Sequence, residues 1–205
     1  MLSARMESRS GFASYEDVRS VFREFRGQLE WLAYFITGDE DVAAACVEDA
    51  CGLSQLHNQV FEEWLLHWAR YATIRSTIDA VRSRIQQLSR RYDQPACVHG
   101  RHEPLSADLL ELFVEESDIL VSRLDVISRA ALVICGIEKH SIREAALFLG
   151  VSSACVRAAY CAGLQSLDVL QLETVERKQR VCGRVQLTAR WGSETRLSTS
   201  AQSSF

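Results

Sequence analysis

Apolar residues recur every three or four positions in the first part of the chain: Val18, Val21, Phe22, Phe25, Leu29, Leu32, Phe35 and Ile36. That spacing predicts one amphipathic helix over 15–36, ended by Gly38. Asp39 or Asp41 can cap the next helix, DVAAACVEDACGLSQL, whose Ala and Cys residues allow close packing. Gly52 weakens its far end. A third helix is predicted over 60–88, with Phe61, Trp64, Leu65, Trp68, Ala72, Ile74, Ile78 and Val81 on its apolar side. Trp64 and Trp68 are read as core residues, since large aromatics are mostly buried. No strand pattern interrupts these helices.

The pattern breaks at 92–105, where Pro95, Gly100 and Pro104 cluster. Residues 105–120 are acidic and partly amphipathic through Leu109, Leu110, Leu112 and Phe113, a linker helix able to pack back on a domain. A second helical unit starts near Ser122 and carries Leu124, Ile127, Ala131, Leu132 and Ile134. The expected fold is all-α, with two small helical domains (15–91 and 122–172) joined by an acidic linker (92–121). Residues 1–14 and 173–205 lack an apolar pattern and are expected to be disordered.

Residues 141–167 read SIREAALFLGVSSACVRAAYCAGLQSL. Ser141 and Glu144 have capping-box spacing at the start of a short helix. Gly150 stands where its end needs positive φ, and Ser152 can cap a second helix. Val156, Tyr160, Leu164 and Leu167 share one face of that helix. Two helices across a tight glycine turn suit a helix-turn-helix, and an ordinary αα-hairpin is the other reading.

The net charge of −4 conceals blocks. Residues 27–69 contain no Lys or Arg and eight acids. Residues 70–91 carry Arg70, Arg75, Arg82, Arg84, Arg90 and Arg91 against Asp79 alone. A local basic stripe of this kind is what phosphates feel, and a solvated helix face is the plainer alternative. Seven cysteines, an odd number without a C-x-x-C pair, argue against a disulfide framework. Cys97, His99 and His102 form the one ligand-like cluster, one ligand short of a closed zinc site, so no metal or other cofactor is expected. No apolar run is long enough to span a membrane, and the N-terminus lacks a secretory core, which implies a cytoplasmic location. No Ser-His-Asp, paired-carboxylate or Gly-rich phosphate motif points to an enzyme.

Taken together, these segments resemble the small, two-domain, extracytoplasmic-function sigma factors of bacterial RNA polymerase. LDVISRAALVICGIEKHSIREAALFLGVSSACVRAAYCAGLQSL is similar to region 4 of that family without a gap, through Leu124, Ser141, Glu144, Ala146, Leu149, Gly150, Val151, Ser152, Val156 and Leu167. The TGD at residues 37–39, DVAAACVEDACGL and FEEWLLHWARYATIRSTIDAVRSR resemble region 2, through Gly38, Asp39, Val47, Trp64, Leu65, Ala69 and Arg70. The resemblance implies core RNA polymerase and promoter DNA as partners, with an anti-sigma factor as a further one. It implies that Asp41, Glu48, Asp49 and Leu53 meet polymerase. Trp68, Arg70, Tyr71, Arg75, Arg82 and Arg84 would meet the melted promoter strand. Ser141, Ser152, Ser153 and Arg157 would lie at duplex DNA.

The sequence departs from the family pattern in two places. Ala44 and Ala45 replace an acidic pair, with Glu48 and Asp49 one turn later. Ala159, Ala162 and Leu164 stand where the family often carries Lys or Arg. The resemblance therefore implies a divergent sigma factor. A sigma-like module that titrates an anti-sigma factor or other partner without starting transcription is the alternative, and a polymerase-independent regulator is a third reading.

Overall fold

The computed structural model describes residues 11–56, 60–92 and 105–197, with side chains, that of Asp108 excepted, as far as residue 176. Among them the chain is all-helical, and its one β-type contact is an isolated bridge between Phe12 and Phe61. Cys97, His99 and His102 lie outside the described residues, as do both prolines.

The first predicted helix is two. Helix α1 (Tyr15–Glu24) starts at a capping box, in which the Asp17 amide donates to Ser14 Oγ at 3.2 Å and the Ser14 amide to Asp17 Oδ2 at 2.8 Å. Phe25 leaves helical geometry with φ −101° and ψ 15°, and α2 (Arg26–Thr37) begins after it. The break lets Phe25 join the packing of the smaller apolar cluster. Residues 11–14, expected to be disordered, are held in place: Ala13 is buried and its amide donates to the Val60 carbonyl at 2.8 Å. Gly38 ends α2 with φ 73°, a conformation that costs a side-chain-bearing residue energy. Asp39 Oδ1 then accepts from the Val42 amide at 3.0 Å and caps α3 (Glu40–Leu56). Helix α4 (Leu65–Tyr92) is the third predicted helix, entered through a single 3₁₀ turn.

Helices α5 (Ala107–Glu115) and α6 (Ser117–Arg123) form the predicted linker segment. Helix α7 (Val126–Ala131) is capped by Asp125 and passes into a π-helical turn over Leu132–Ile137. Helix α8 (Ile142–Leu149) follows, with the Ser141–Glu144 capping box formed and Gly150 at φ 67°. Helix α9 (Ser153–Leu197) runs far past residue 172, where the apolar pattern fades. Residues 173–197 are therefore helical rather than disordered. The segment holds no proline, and its Glu, Arg, Lys, Gln and Leu residues have good helix propensity.

The expected boundary at 92–121 does not separate two cores. One cluster of buried side chains takes Leu32, Phe35 and Ile36 from α2, and Ile74, Ile78, Val81 and Ile85 from α4. The same cluster takes Phe113, Leu120 and a run from Leu124 to Leu170. Phe35 and Phe113 are fully buried with ring centroids 4.3 Å apart. A smaller cluster, between α1, α2, α3 and the start of α4, stays within the N-terminal part.

Polar side chains join the two segments as well. Arg129, on α7, is buried and donates to the carbonyls of Ile36 at 3.2 Å, Thr37 at 3.2 Å and Val121 at 2.7 Å. Two of these are C-terminal carbonyls of α2, where a cation is favourably placed. Tyr92 at the end of α4 donates to Asp125 Oδ2 at 2.7 Å and lies 2.9 Å from Ser128 Oγ.

Candidate nucleic-acid interface

Gly150, Val151 and Ser152 separate α8 from α9, and the two helices are bent 105° from one another. The turn is built by local chemistry. The Gly150 amide donates to the Ala146 carbonyl at 2.9 Å, closing α8. Ser152 Oγ accepts from the Cys155 amide at 3.1 Å, opening α9. Val156, Tyr160 and Leu167 are buried, as their spacing predicts, and Leu164 is half-buried. Leu147 stands 82% exposed on α8, and Arg157 is exposed near the start of α9.

The four residues expected at duplex DNA divide by role. Ser141 and Ser152 spend their hydroxyls on helix caps. Ser153 is half-buried, while Arg157 is exposed and forms no ion pair among the described residues. The sequence reading of a depleted recognition helix also changes. Ala159 is fully buried, so a basic residue there would face the core rather than a groove.

The α4 candidates face two ways. Trp68 is half-buried, donates from Nε1 to Ser54 Oγ at 3.2 Å and stacks on Tyr71 with centroids 5.6 Å apart. Arg70 donates from Nε and Nη2 to Glu138 Oε1 at 2.9 and 2.5 Å. Tyr71 meets the edge of Phe148 on α8, with centroids 5.2 Å apart. Arg82 pairs with Asp79, and its Nη1 lies 3.3 Å from where a Cβ on Gly150 would be. Arg75 pairs with Asp79 at 3.4 Å, and Arg84 is exposed. Arg70 and Tyr71 thus contact the C-terminal segment and Arg82 lies beside Gly150, while each keeps about a third of its surface in solvent. Sequence reasoning missed Glu138, Phe148 and Gly150 as their partners, because nothing in local spacing encodes contacts across so long an interval.

The polymerase candidates lie along an exposed edge of α3. Glu48, Asp49 and Leu53 line one shallow groove with Gly52, Ser76, Asp79 and Ala80. Asp41 lines another, with Glu30, Trp31, Tyr34 and Ala44. Leu53 is more than half exposed. Trp64, read as core, is 56% exposed and lines an aromatic groove of about 380 Å³ with Phe61, His67, Trp68 and Tyr71. Its position just ahead of α4 turns it outward, and Glu63 Oε1 accepts its Nε1 proton at 3.0 Å.

Two titratable groups at the packed face are shifted by burial. Desolvation pushes the Tyr160 phenol up to about 12 and lowers the Arg129 guanidinium from its ordinary value. Among the described residues, no cluster of His, Cys, Asp and Glu is arranged to hold a metal ion, and no single helix is long and apolar enough to cross a membrane. No protein-family model, curated protein or solved structure matches the chain.

Proposed function

We propose that this chain is a divergent RNA polymerase sigma factor that directs promoter recognition and the start of transcription. The observation that carries the reading is the 105° bend of α8 against α9 across Gly150, with Leu147 and Arg157 exposed beside it. That angle lies within the helix-turn-helix range, in which the second helix enters the major groove. Arg157 supplies the base or phosphate contact there, and Ser141 and Ser152 hold the helices that position it. Glu48, Asp49 and Leu53 dock on core polymerase through α3. The chemistry belongs to the polymerase, so the protein itself is not an enzyme, and its place of work is the cytoplasm.

On this reading the packing of α4 against α7 and α8 is a closed arrangement. Arg70, Tyr71 and Arg82 leave Glu138, Phe148 and Gly150 before they meet a promoter strand. The same packing favours a second reading, a sigma-like module that binds an anti-sigma factor or another protein and never opens on DNA.

Co-purification with core polymerase, followed by run-off transcription from a promoter-containing template, tests the proposal. A promoter-dependent transcript supports the sigma reading. Failure to bind polymerase favours the protein-binding module, and polymerase binding without a promoter-dependent transcript removes the claim of initiation.

A further inference from the structure

A second basic surface lies on α1 and the start of α2, away from the arginine block of α4. Tyr15, Arg19 and Arg23 follow at intervals of four on one face of α1, and Arg26 opens α2 just after the break at Phe25. All four line a groove of about 460 Å³ against α3, whose side supplies Val47, Glu48, Cys51, Gly52 and Gln55. Arg26 donates to Glu30 at 2.7 Å and to Glu48 at 3.5 Å. Arg19 and Arg23 are exposed and form no ion pair among the described residues, although the chain as a whole is acidic.

Two features of this groove lack a structural reason. Like charges one turn apart on a helix repel, so Arg19 and Arg23 oppose one another, whereas Arg26 is offset by Glu30 and Glu48. Gly52 sits inside α3, where glycine weakens a helix. It has no positive φ, and a Cβ there would meet nothing within 4 Å. No turn and no packing contact calls for glycine at this position. Its effect is to leave the groove wall bare, so that a ligand can approach the backbone.

We infer that the groove between α1 and α3 binds a small ligand bearing a di- or triphosphate group. Arg19 and Arg23 are about 6 Å apart along the helix axis, a span that two linked phosphates can bridge. Guanidinium forks match phosphate oxygens and take two hydrogen bonds at once. The volume falls within the range of small-molecule sites, roughly 300–1,000 Å³. Tyr15, half exposed at the beginning of the arginine face, offers a ring or a hydroxyl to whatever the phosphates carry. The ligand also competes with Glu48 for Arg26.

The test uses the full chain and pyrophosphate as the probe, titrated at fixed ionic strength while the arginine Nε–H signals are followed by NMR. Saturable shifts of Arg19, Arg23 and Arg26 are expected, with succinate at least about tenfold weaker, a difference of about 1.4 kcal/mol. R19Q/R23Q removes the binding and Gly52→Leu blocks it, while helix content stays unchanged because these positions are exposed. A nucleoside triphosphate that binds more tightly than pyrophosphate, and loses that advantage in Tyr15→Ala, identifies a nucleotide as the source of the phosphates. Equal affinity for both identifies the phosphates alone as the recognised group. Absence of saturation, retention of binding by R19Q/R23Q, or binding of duplex DNA or an acidic peptide without pyrophosphate would overturn the assignment.

Discussion

Arg70 places two N–H donors on a single oxygen of Glu138, a side chain only 7% exposed and 68 residues further along the chain. A half-buried guanidinium thereby neutralises a buried carboxylate across the seam between α4 and the turn after α7. Truncating Arg70 leaves that carboxylate unpaired, and Arg70→Ala is expected to cost about 2–3 kcal/mol in urea unfolding. Glu138→Gln is milder and frees the arginine. It should steepen the salt dependence of single-strand binding by about 0.7 per phosphate newly neutralised. Fluorescence anisotropy across a salt series reads this. An unchanged slope would mean that Arg70 never meets nucleic acid.

Arg129 and Gly38 form a second joint. The guanidinium nitrogens lie 3.1 and 3.2 Å from where a Cβ on Gly38 would stand, and the Val121 side chain lies 3.2 Å from it on another side. Gly38→Ala therefore meets both a crowded site and a left-handed backbone, and should lose about 1–2 kcal/mol. Arg129→Met removes three hydrogen bonds to buried carbonyls and should lose about 3 kcal/mol or more. If Arg129→Met unfolds at the wild-type urea concentration, the joint contributes nothing to stability.

The pH response follows from two phenols. Burial pushes Tyr92 and Tyr160 up to about 12, whereas an unfolded chain ionises tyrosine near pH 10. The folded state keeps protons that the unfolded state releases. The contribution of these two phenols to stability is therefore complete below about pH 10 and is lost as pH climbs from 10 toward 12. Urea midpoints measured over this window should fall, and Tyr160→Phe should flatten the fall. Phenolate absorbance from all five tyrosines rising together near pH 10, with helix content intact, would contradict the burial of both.

The polymerase contact is tested by charge reversal. Glu48 and Asp49 are exposed on α3, so Lys at both positions leaves the fold intact. The double variant should lose binding to core polymerase at unchanged helix content by circular dichroism. Retained binding would move the contact to another surface, with Asp41 and its separate groove the next to test.

The helical character of the chain and the helix ends at Gly38 and Gly150 were legible in the residues themselves. The Ser141–Glu144 capping box, the two left-handed glycines and the buried stripe of Val156, Tyr160 and Leu167 are local chemistry, and local spacing records it. The break at Phe25 was not legible, because the cluster its ring packs against is assembled from separate helices that spacing along the chain does not record. The outward turn of Trp64 was not legible either, since it depends on the 3₁₀ turn that precedes α4. The shared core escaped sequence reading most completely. A proline-containing segment predicts where the chain bends, and says nothing about whether the two sides then pack on each other. That packing redirects Arg70, Tyr71 and Arg82, so half of the proposed promoter-strand contacts changed their surroundings once the fold was known.

The shared core also sets an order of events during synthesis. Leu32, Phe35, Ile36, Ile74, Ile78, Val81 and Ile85 leave the ribosome early, yet the residues that cover them extend as far as Leu170. At about 5–20 residues per second, the wait between residues 85 and 170 is roughly 4–17 s. Throughout it the nascent N-terminal helices present an uncovered apolar face, while their smaller cluster can already close. A chain arrested ahead of α7 should therefore bind hydrophobic dyes and trigger-type chaperones strongly, and one arrested after α9 has emerged should bind neither. The packing that joins the two halves in the finished protein thus makes its first half dependent on its last during translation.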